Sequence, residues 1–458
     1  MDQGHGEEFH IANARPQRQS QLRSRSSGGY LFRAGAFGHA HGVFPAVSIS
    51  STWPERDTMI TRILGIVVVV ACSAGSAMGA STPALKPIDS VALQAAVEGL
   101  GKELMLPGAM VLLHTPQGDF VFGYGTTELG VTSPPRANTH FRAASNTKTM
   151  AAAVIVQLAQ EGKLRFDDPI SKYVQDVPNG GNITIGQLLK MRSGLYNYSN
   201  APIISESLDH DPDKVWTLEE LRAIAFKHPP LFAPGAEFDY CNTNYLLLGL
   251  VAEKIEGQPL ASIFQNRLFG PLGMKNTVLP ASTSNAIPEP YSHGYLYGSS
   301  SYALVDAPYP ADLQAAAKAG TLKPNDDTWQ NPSAYFAAGG IISTADDLAT
   351  WIRALVGGKV FDADYQRQWL ESPEREDPSN PKGQQYGYGI ALITFGPNKV
   401  YFHGGEMPGY NSFMGCDPVN DVTLIIWTNL TLSLDGRPTA NTLMLKMLDQ
   451  IYTVSPLQ

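Results

Sequence analysis

Residues 141–150 read FRAASNTKTM, and two readings compete for them. Ser145 and Lys148 stand three apart at the head of TKTMAAAVIVQLAQEGKL (147–164). There Met150, Val154, Ile155 and Leu158 recur at helical spacing and Gly162 supplies a stop, so the pattern predicts a helix behind Ser145. Residues i and i+3 of a helix share a face, which lets the Lys148 amine reach the Ser145 hydroxyl one turn away. The positive end of the helix adds potential where negative charge would develop. Read that way, the pair is a nucleophile with its base. Read the other way, Ser145 is an ordinary helix cap, a position serine often takes. A serine hydroxyl needs both a base and oxyanion donors to be useful near neutral pH, so the rest of the chain must decide.

Two further stretches carry chemically active side chains. In PGAEFDYCNTNYLLLGLVAEKIEG (234–257), Tyr240 and Asn242 flank Cys241 just before a helical pattern. Residues two apart in extended chain face one side, so a phenol and a carboxamide would point together while Cys241 points away. The phenol can shuttle a proton if a nearby ammonium lowers its pKa, and the carboxamide can hold the lysine and a substrate amide. The plain alternative is a packed tyrosine and a helix-capping asparagine. In VYFHGGEMPGY (400–410), His403-Gly404-Gly405 ends a strand-like run. Glycine lets a substrate approach the strand edge, where a backbone amide can serve as an oxyanion donor. A histidine in a glycine-rich turn is the alternative there.

In order and rough spacing, Ser145-Asn-Thr-Lys148, Tyr240-Cys-Asn242 and His403-Gly-Gly405 resemble the three active-site motifs of serine β-lactamases and DD-peptidases (penicillin-binding-protein-like enzymes). The likeness is greatest to the D-alanyl-D-alanine carboxypeptidase and class C β-lactamase-related branch. The phrases FRAASNTKT, ITIGQLLKMRSGLYNY, PGAEFDYCNTNYLLLG and FAAGGIISTADDLATWI match as well, and the likeness runs from about Ile88 to Tyr452. It implies that Ser145 is the acylated nucleophile and that Lys148 and Tyr240 share the general base and acid roles. It also implies that Asn242, His403 and Gly405 position the substrate, with the backbone amides of Ser145 and Glu406 as the oxyanion hole. The implied fold is α+β, β-lactamase/transpeptidase-like: an antiparallel sheet flanked by helices, plus an all-helical subdomain, with the site in the groove between them.

The chain's own patterning agrees with that architecture. LPGAMVLLHTPQGDFVFGYGTTELG (106–130) reads as a β-hairpin around Pro116-Gln117-Gly118. From about Asp167 to Gln330 the signals are helical pieces and Pro-Gly turns; strand signals return after Gly383, and a last helix is expected from about Thr439 to Tyr452. Strands at both ends with helices between imply one sheet built from the chain's two ends. Asp209, Asp211 and Asp213 with Glu220 imitate calcium-loop spacing, but Lys214 stands where glycine is needed and Pro212 intrudes. Thr217 and Glu220 instead read as a capping box.

Residues 1–58 hold arginines among Ser, Gln and Gly and are expected to be disordered or untranslated, with Met59 as the start. MITRILGIVVVVACSAGSAMGA (59–80) has the layout of a secretory leader: one Arg, a short apolar block, then small residues. Val69-Val70-Ala71-Cys72 resembles a lipobox, so a lipid anchor at Cys72 is the one membrane attachment expected; cleavage near Gly79 is the alternative. A basic, Ser-rich transit peptide fits residues 1–58 less well, given the second leader behind them. Residues 81–458 form the expected hydrolase domain, secreted or held in the periplasm or cell envelope. Without the seven arginines and five acids of residues 1–80, it carries 26 basic and 37 acidic residues, a balance that disfavours nucleic acid. No His-Glu-x-x-His or Gly-x-Ser-x-Gly occurs, which argues against zinc proteases and α/β-hydrolases.

The expected activity is thus that of an exported serine hydrolase working through an acyl-enzyme without metal or organic cofactor. Its expected substrate is a small molecule or peptide: a D-alanyl-D-alanine cell-wall peptide, a β-lactam or an ester. Glu406 stands where relatives that hold a terminal carboxylate often have a hydroxyl, and GIALITFG (389–396) offers no Arg. Like charges repel, so an esterase or amidase of the same family is the rival reading. A non-catalytic penicillin-binding or sensor protein is the second rival.

Overall fold

A computed structural model describes residues 84–305 and 308–456. The segment expected to be disordered (1–58), the leader (59–80) and Cys72 lie outside the described residues. The hairpin is present as β1 (Gly108–Thr115) and β2 (Gly118–Gly125). Six further strands come from the C-terminal part: β3 (Glu374–Arg375), β4 (Gln385–Tyr386), β5 (Ala391–Phe395), β6 (Asn398–Met407), β7 (Tyr410–Asp417) and β8 (Val422–Thr428). They join in one antiparallel sheet of order β2-β1-β8-β7-β6-β5-β4-β3. The chain's two ends meet where β1 pairs with β8, Ala109 opposite Thr428.

The expectation of a sheet flanked by helices holds. Every residue of β7 and β8 is buried, so both faces of the sheet centre are covered. Opposed residues of an antiparallel pair share a face. Ser412 and Trp427 point to the face where Ser412 Oγ accepts from Asn146 and Trp427 stacks on Phe141. Asn411 and Thr428 point to the other face, where they hydrogen-bond Ala440 and Thr439. Helix α2 (Thr147–Gln160) lies on the first face and is buried along most of its length, with Gln160 exposed at its end. The expected final helix is α5 (Thr439–Ile451), on the second face and packed on α1 (Ser90–Glu103).

Between the hairpin and the rest of the sheet lies the expected helical region. It contains α3 (Asn242–Glu256) and shorter helices, and it builds its own small core from Tyr198, Ile204, Leu208, Trp216, Leu221 and Leu246. Thr217 and Glu220 form the expected capping box. Two brief strand pairs, Phe141–Arg142 with Ile342–Ser343 and Tyr295–Leu296 with Asn325–Asp326, interrupt it. Helix α4 (Ala345–Val356), capped by Thr344, then leads back toward the sheet and packs on β7 and β8. No helix of the described residues is long and apolar enough to cross a membrane.

Candidate active site

Ser145 lies in a single 3-10 turn, Ala144–Asn146, immediately before α2. It is not a helix cap: no side chain caps α2, and Lys148 Nζ donates to Ser145 Oγ at 3.0 Å. Ala144 adopts φ +48°, a left-handed conformation unusual for a side-chain-bearing residue, which bends the chain sharply into the turn. Two phrases of the sequence brace it. Ala338 O accepts from Lys148 Nζ at 2.6 Å, Ile341 O accepts from Ala143 N at 3.1 Å, and Ile341 N donates to Thr147 Oγ1 at 3.1 Å. Asn146 Nδ2 donates to Ala143 O at 2.9 Å and to Ser412 Oγ at 2.8 Å, tying the turn to β7.

Lys148 is 0% exposed, with its amine 4.8 Å from the centre of the Tyr240 ring. Burial disfavours its charged form and holds the amine well below the ordinary lysine range. A neutral amine has a lone pair for the proton of the neighbouring hydroxyl.

Tyr240 also hydrogen-bonds Ser145. A nearby ammonium could lower the pKa of the phenol, but burial pushes it well above the ordinary tyrosine value; Glu376 and Glu406 add to the rise and the Ser145 bond opposes it. Tyr240 thus keeps its proton near neutral pH. Cys241 points away, as expected, with Sγ donating to Leu195 O at 3.4 Å. Asn242 starts α3, and residues 197–199 cradle it: its N donates to Asn197 Oδ1 at 3.1 Å and its Nδ2 to Ser199 Oγ at 3.0 Å. The expected grip of Asn242 on Lys148 is replaced by the lysine's bonds to Ser145 and Ala338.

His403 reaches the same place from β6, its ring 6.3 Å from that of Tyr240. A carbonyl can only accept, so His403 Nδ1 donates to Gly404 O at 2.6 Å. Nε2 is then the acceptor for Tyr386 Oη at 3.0 Å. Burial, and then the proximity of Lys148, push the imidazole down to about 3. His403 is therefore uncharged at neutral pH. Tyr386, raised well above the usual tyrosine range by burial, stays a donor. Sequence reasoning missed it; Tyr386-Gly387-Tyr388 reads only as strand, and the residue lies on a strand of two residues.

Gly405 brings β6 against the nucleophile turn so closely that a Cβ there would lie 2.2 Å from Ala143 O and 2.4 Å from Ser412 Oγ. In sequence, Ser145 lies two residues after Ala143 and Glu406 directly follows Gly405. Strand alternation turns the Glu406 side chain to the opposite face from Gly405, where Asn411 Nδ2 donates to its Oε2 at 3.2 Å. Arg142 donates from Nη2 to the carbonyls of Asn285 and Thr328 while its buried Nη1 makes no hydrogen bond, and Arg192 donates to Arg375 O beside Glu374.

Residues 93–448 match the family profile described as Beta-lactamase. Protein flp of Staphylococcus aureus (strain MW2) is 27% identical over 336 residues, covering 71% of this chain and 60% of that protein. The chain thus spans about 60% of the length of the curated relatives it matches first. Putative penicillin-binding protein PbpX of Bacillus subtilis (strain 168) is 26% identical, with 72% of each chain covered. Among solved structures, a D-stereospecific amidohydrolase from Streptomyces sp. is similar at 29% identity and TM-score 0.65, covering 76% of this chain and 96% of that one. The D-amino acid amidase of Ochrobactrum anthropi SV3 is similar at 26% identity and TM-score 0.61, covering 74% and 90%.

Proposed function

The chain belongs to the β-lactamase family of serine hydrolases, and from that premise we propose that it is an amidohydrolase that cleaves amides of D-configured amino acids through an acyl-enzyme on Ser145. Ser145 Oγ attacks the amide carbonyl while its proton passes to the Lys148 amine, whose charged form burial disfavours. The amides of Ser145 and Glu406 receive the oxyanion. Tyr240 then gives its proton to the departing amine and is reprotonated from Lys148. Water, deprotonated by the same pair, attacks the ester and releases the acid.

One observation favours an amide over a carboxylate-terminated peptide: the third motif has no charge to offer. His403 is neutral and its Nε2 is held by Tyr386, so it cannot supply the cation a terminal carboxylate would need. The D-stereochemistry rests on the two amidases similar to this chain. The leader read over residues 59–80 supports action outside the cytoplasm.

The test is a panel for the purified protein: D- and L-amino acid amides, a short-chain ester, a β-lactam and a peptide ending in D-alanyl-D-alanine. Ammonia release from D-amides is expected to exceed that from L-amides and the release of D-alanine by at least tenfold. Faster D-alanine release, or equal rates on both enantiomers, would sink the proposal.

A further inference from the structure

Tyr386-Gly387-Tyr388-Gly389 lies outside the three motifs, yet it is wedged against the helix that carries Lys148. Gly389 takes φ +72°, and a Cβ there would lie 2.4 Å from Ala152 Cβ and 2.9 Å from Lys148 O, so glycine alone lets this turn sit against the start of α2. A Cβ on Gly387 would lie 2.3 Å from Ser372 Oγ, the atom that accepts from Tyr388 N at 2.9 Å. These two close approaches fix where Tyr386, only 2% exposed, enters the site.

Its ring meets Tyr240 edge-on, with centres 6.1 Å apart and planes at 88°, and meets His403 edge-on at 5.8 Å and 80°. Its hydroxyl donates to His403 Nε2 at 3.0 Å, while His403 Nδ1 donates to Gly404 O at 2.6 Å. A neutral imidazole has one donor and one acceptor. Both are engaged within the protein, so His403 acts on a substrate through the placement of its ring rather than through a hydrogen bond of its own. The bond to Gly404 O holds only one edge of that ring. Against tilting, the other edge has the Tyr386 hydroxyl.

We propose that Tyr386 is a positioning residue for the acyl-transfer reaction: its hydroxyl fixes the tilt of the His403 ring, and the two side chains form one rigid wall beside Tyr240 against which the substrate is seated. The inference rests on the acyl-enzyme reading proposed above, not on which amide is cleaved.

Tyr386→Phe tests it, because it keeps the ring and its edge-on contacts and removes only the hydroxyl. Nitrogen-15 NMR of histidine-labelled protein, with His403→Phe to identify the signal, needs no turnover: the bare Nε2 of His403 should shift in Tyr386→Phe while the proton stays on Nδ1. Steady-state kinetics follow on whichever compound of the panel turns over fastest. KM should rise roughly three- to tenfold, the worth of one neutral hydrogen bond, with kcat unchanged to within about twofold. Since Tyr386 acts through His403, the double variant Tyr386→Phe/His403→Phe should have a KM no higher than His403→Phe alone. An unmoved Nε2 signal, an unchanged KM, or a double variant whose losses add would overturn the proposal. Wild-type protein inert on the whole panel would overturn the acyl-enzyme reading and the positioning role with it, and the nitrogen-15 shift would still tell whether the contact exists.

Discussion

An ordinary lysine is protonated at neutral pH and cannot take the proton of an attacking serine. Lys148 differs because every neighbour excludes water from it, and its amine still lies 3.0 Å from Ser145 Oγ. Lys148→Met keeps the volume and removes the amine. Acylation should fall by about 10²–10⁴-fold while the fold survives, as melting and stopped-flow acylation would show. An unchanged rate would remove Lys148 from the mechanism. His403 yields a prediction of the opposite kind, on stability. Its folded pKa of about 3 lies below the unfolded value, so the unfolded chain binds more protons between those limits. Stability from the neutral imidazole is present above about pH 6.5 and is lost as pH falls toward 3. His403→Gln should flatten the acid limb of the melting temperature against pH, by an amount worth up to roughly 3–5 kcal/mol. The motif residues were legible in sequence because their spacing is local. The directions of their pKa shifts were not, since burial comes from elements far away in the chain; Tyr240 shows it, its phenol driven up rather than down.

At the scale of elements, the start of α2 settles the question raised by FRAASNTKTM. Helical periodicity placed the helix, but whether serine caps it depends on where the hydroxyl goes, and it goes to Lys148. Gly405 shows a related limit. Its glycine was read as room for a substrate, and the structure adds that the room is filled on one side by the protein's own nucleophile turn. A methyl group at 2.2 Å from Ala143 O must push β6 and the turn apart. Gly405→Ala should therefore destabilise by about 1–3 kcal/mol and slow acylation together. Thermal melting and active-site labelling check both; a variant that melts normally and acylates at the native rate would contradict the contact. The phrase FAAGGIISTADDLATWI was legible only as a likeness. Its physical work, holding Lys148 through Ala338 O and α2 through Ile341, is done by backbone groups that carry no sequence signal.

For the whole molecule, the sheet from both chain ends and the helical region between them were readable because alternation and helical spacing change over long stretches. The register and the order of the strands were not, because they rest on contacts hundreds of residues apart, such as Ala109 with Thr428. Helix α3 joins the two bodies: Leu246 faces the small helical core while Tyr245, Leu247 and Leu248 face the main one. The two should unfold together. Leu246→Ala should lower a single calorimetric transition by about 2–5 kcal/mol, whereas two separated transitions would show independent domains. The same convergence brings Ser145 and Lys148 beside Tyr240, from the middle of the chain, with the His403 ring 6.3 Å from that of Tyr240. Intact-mass analysis after reaction with a fluorophosphonate probe tests that convergence most directly. One adduct per chain, mapped to Ser145, absent in Ser145→Ala and slowed at least a hundredfold in Lys148→Met is the expected result; equal labelling of the wild type and Ser145→Ala would contradict it.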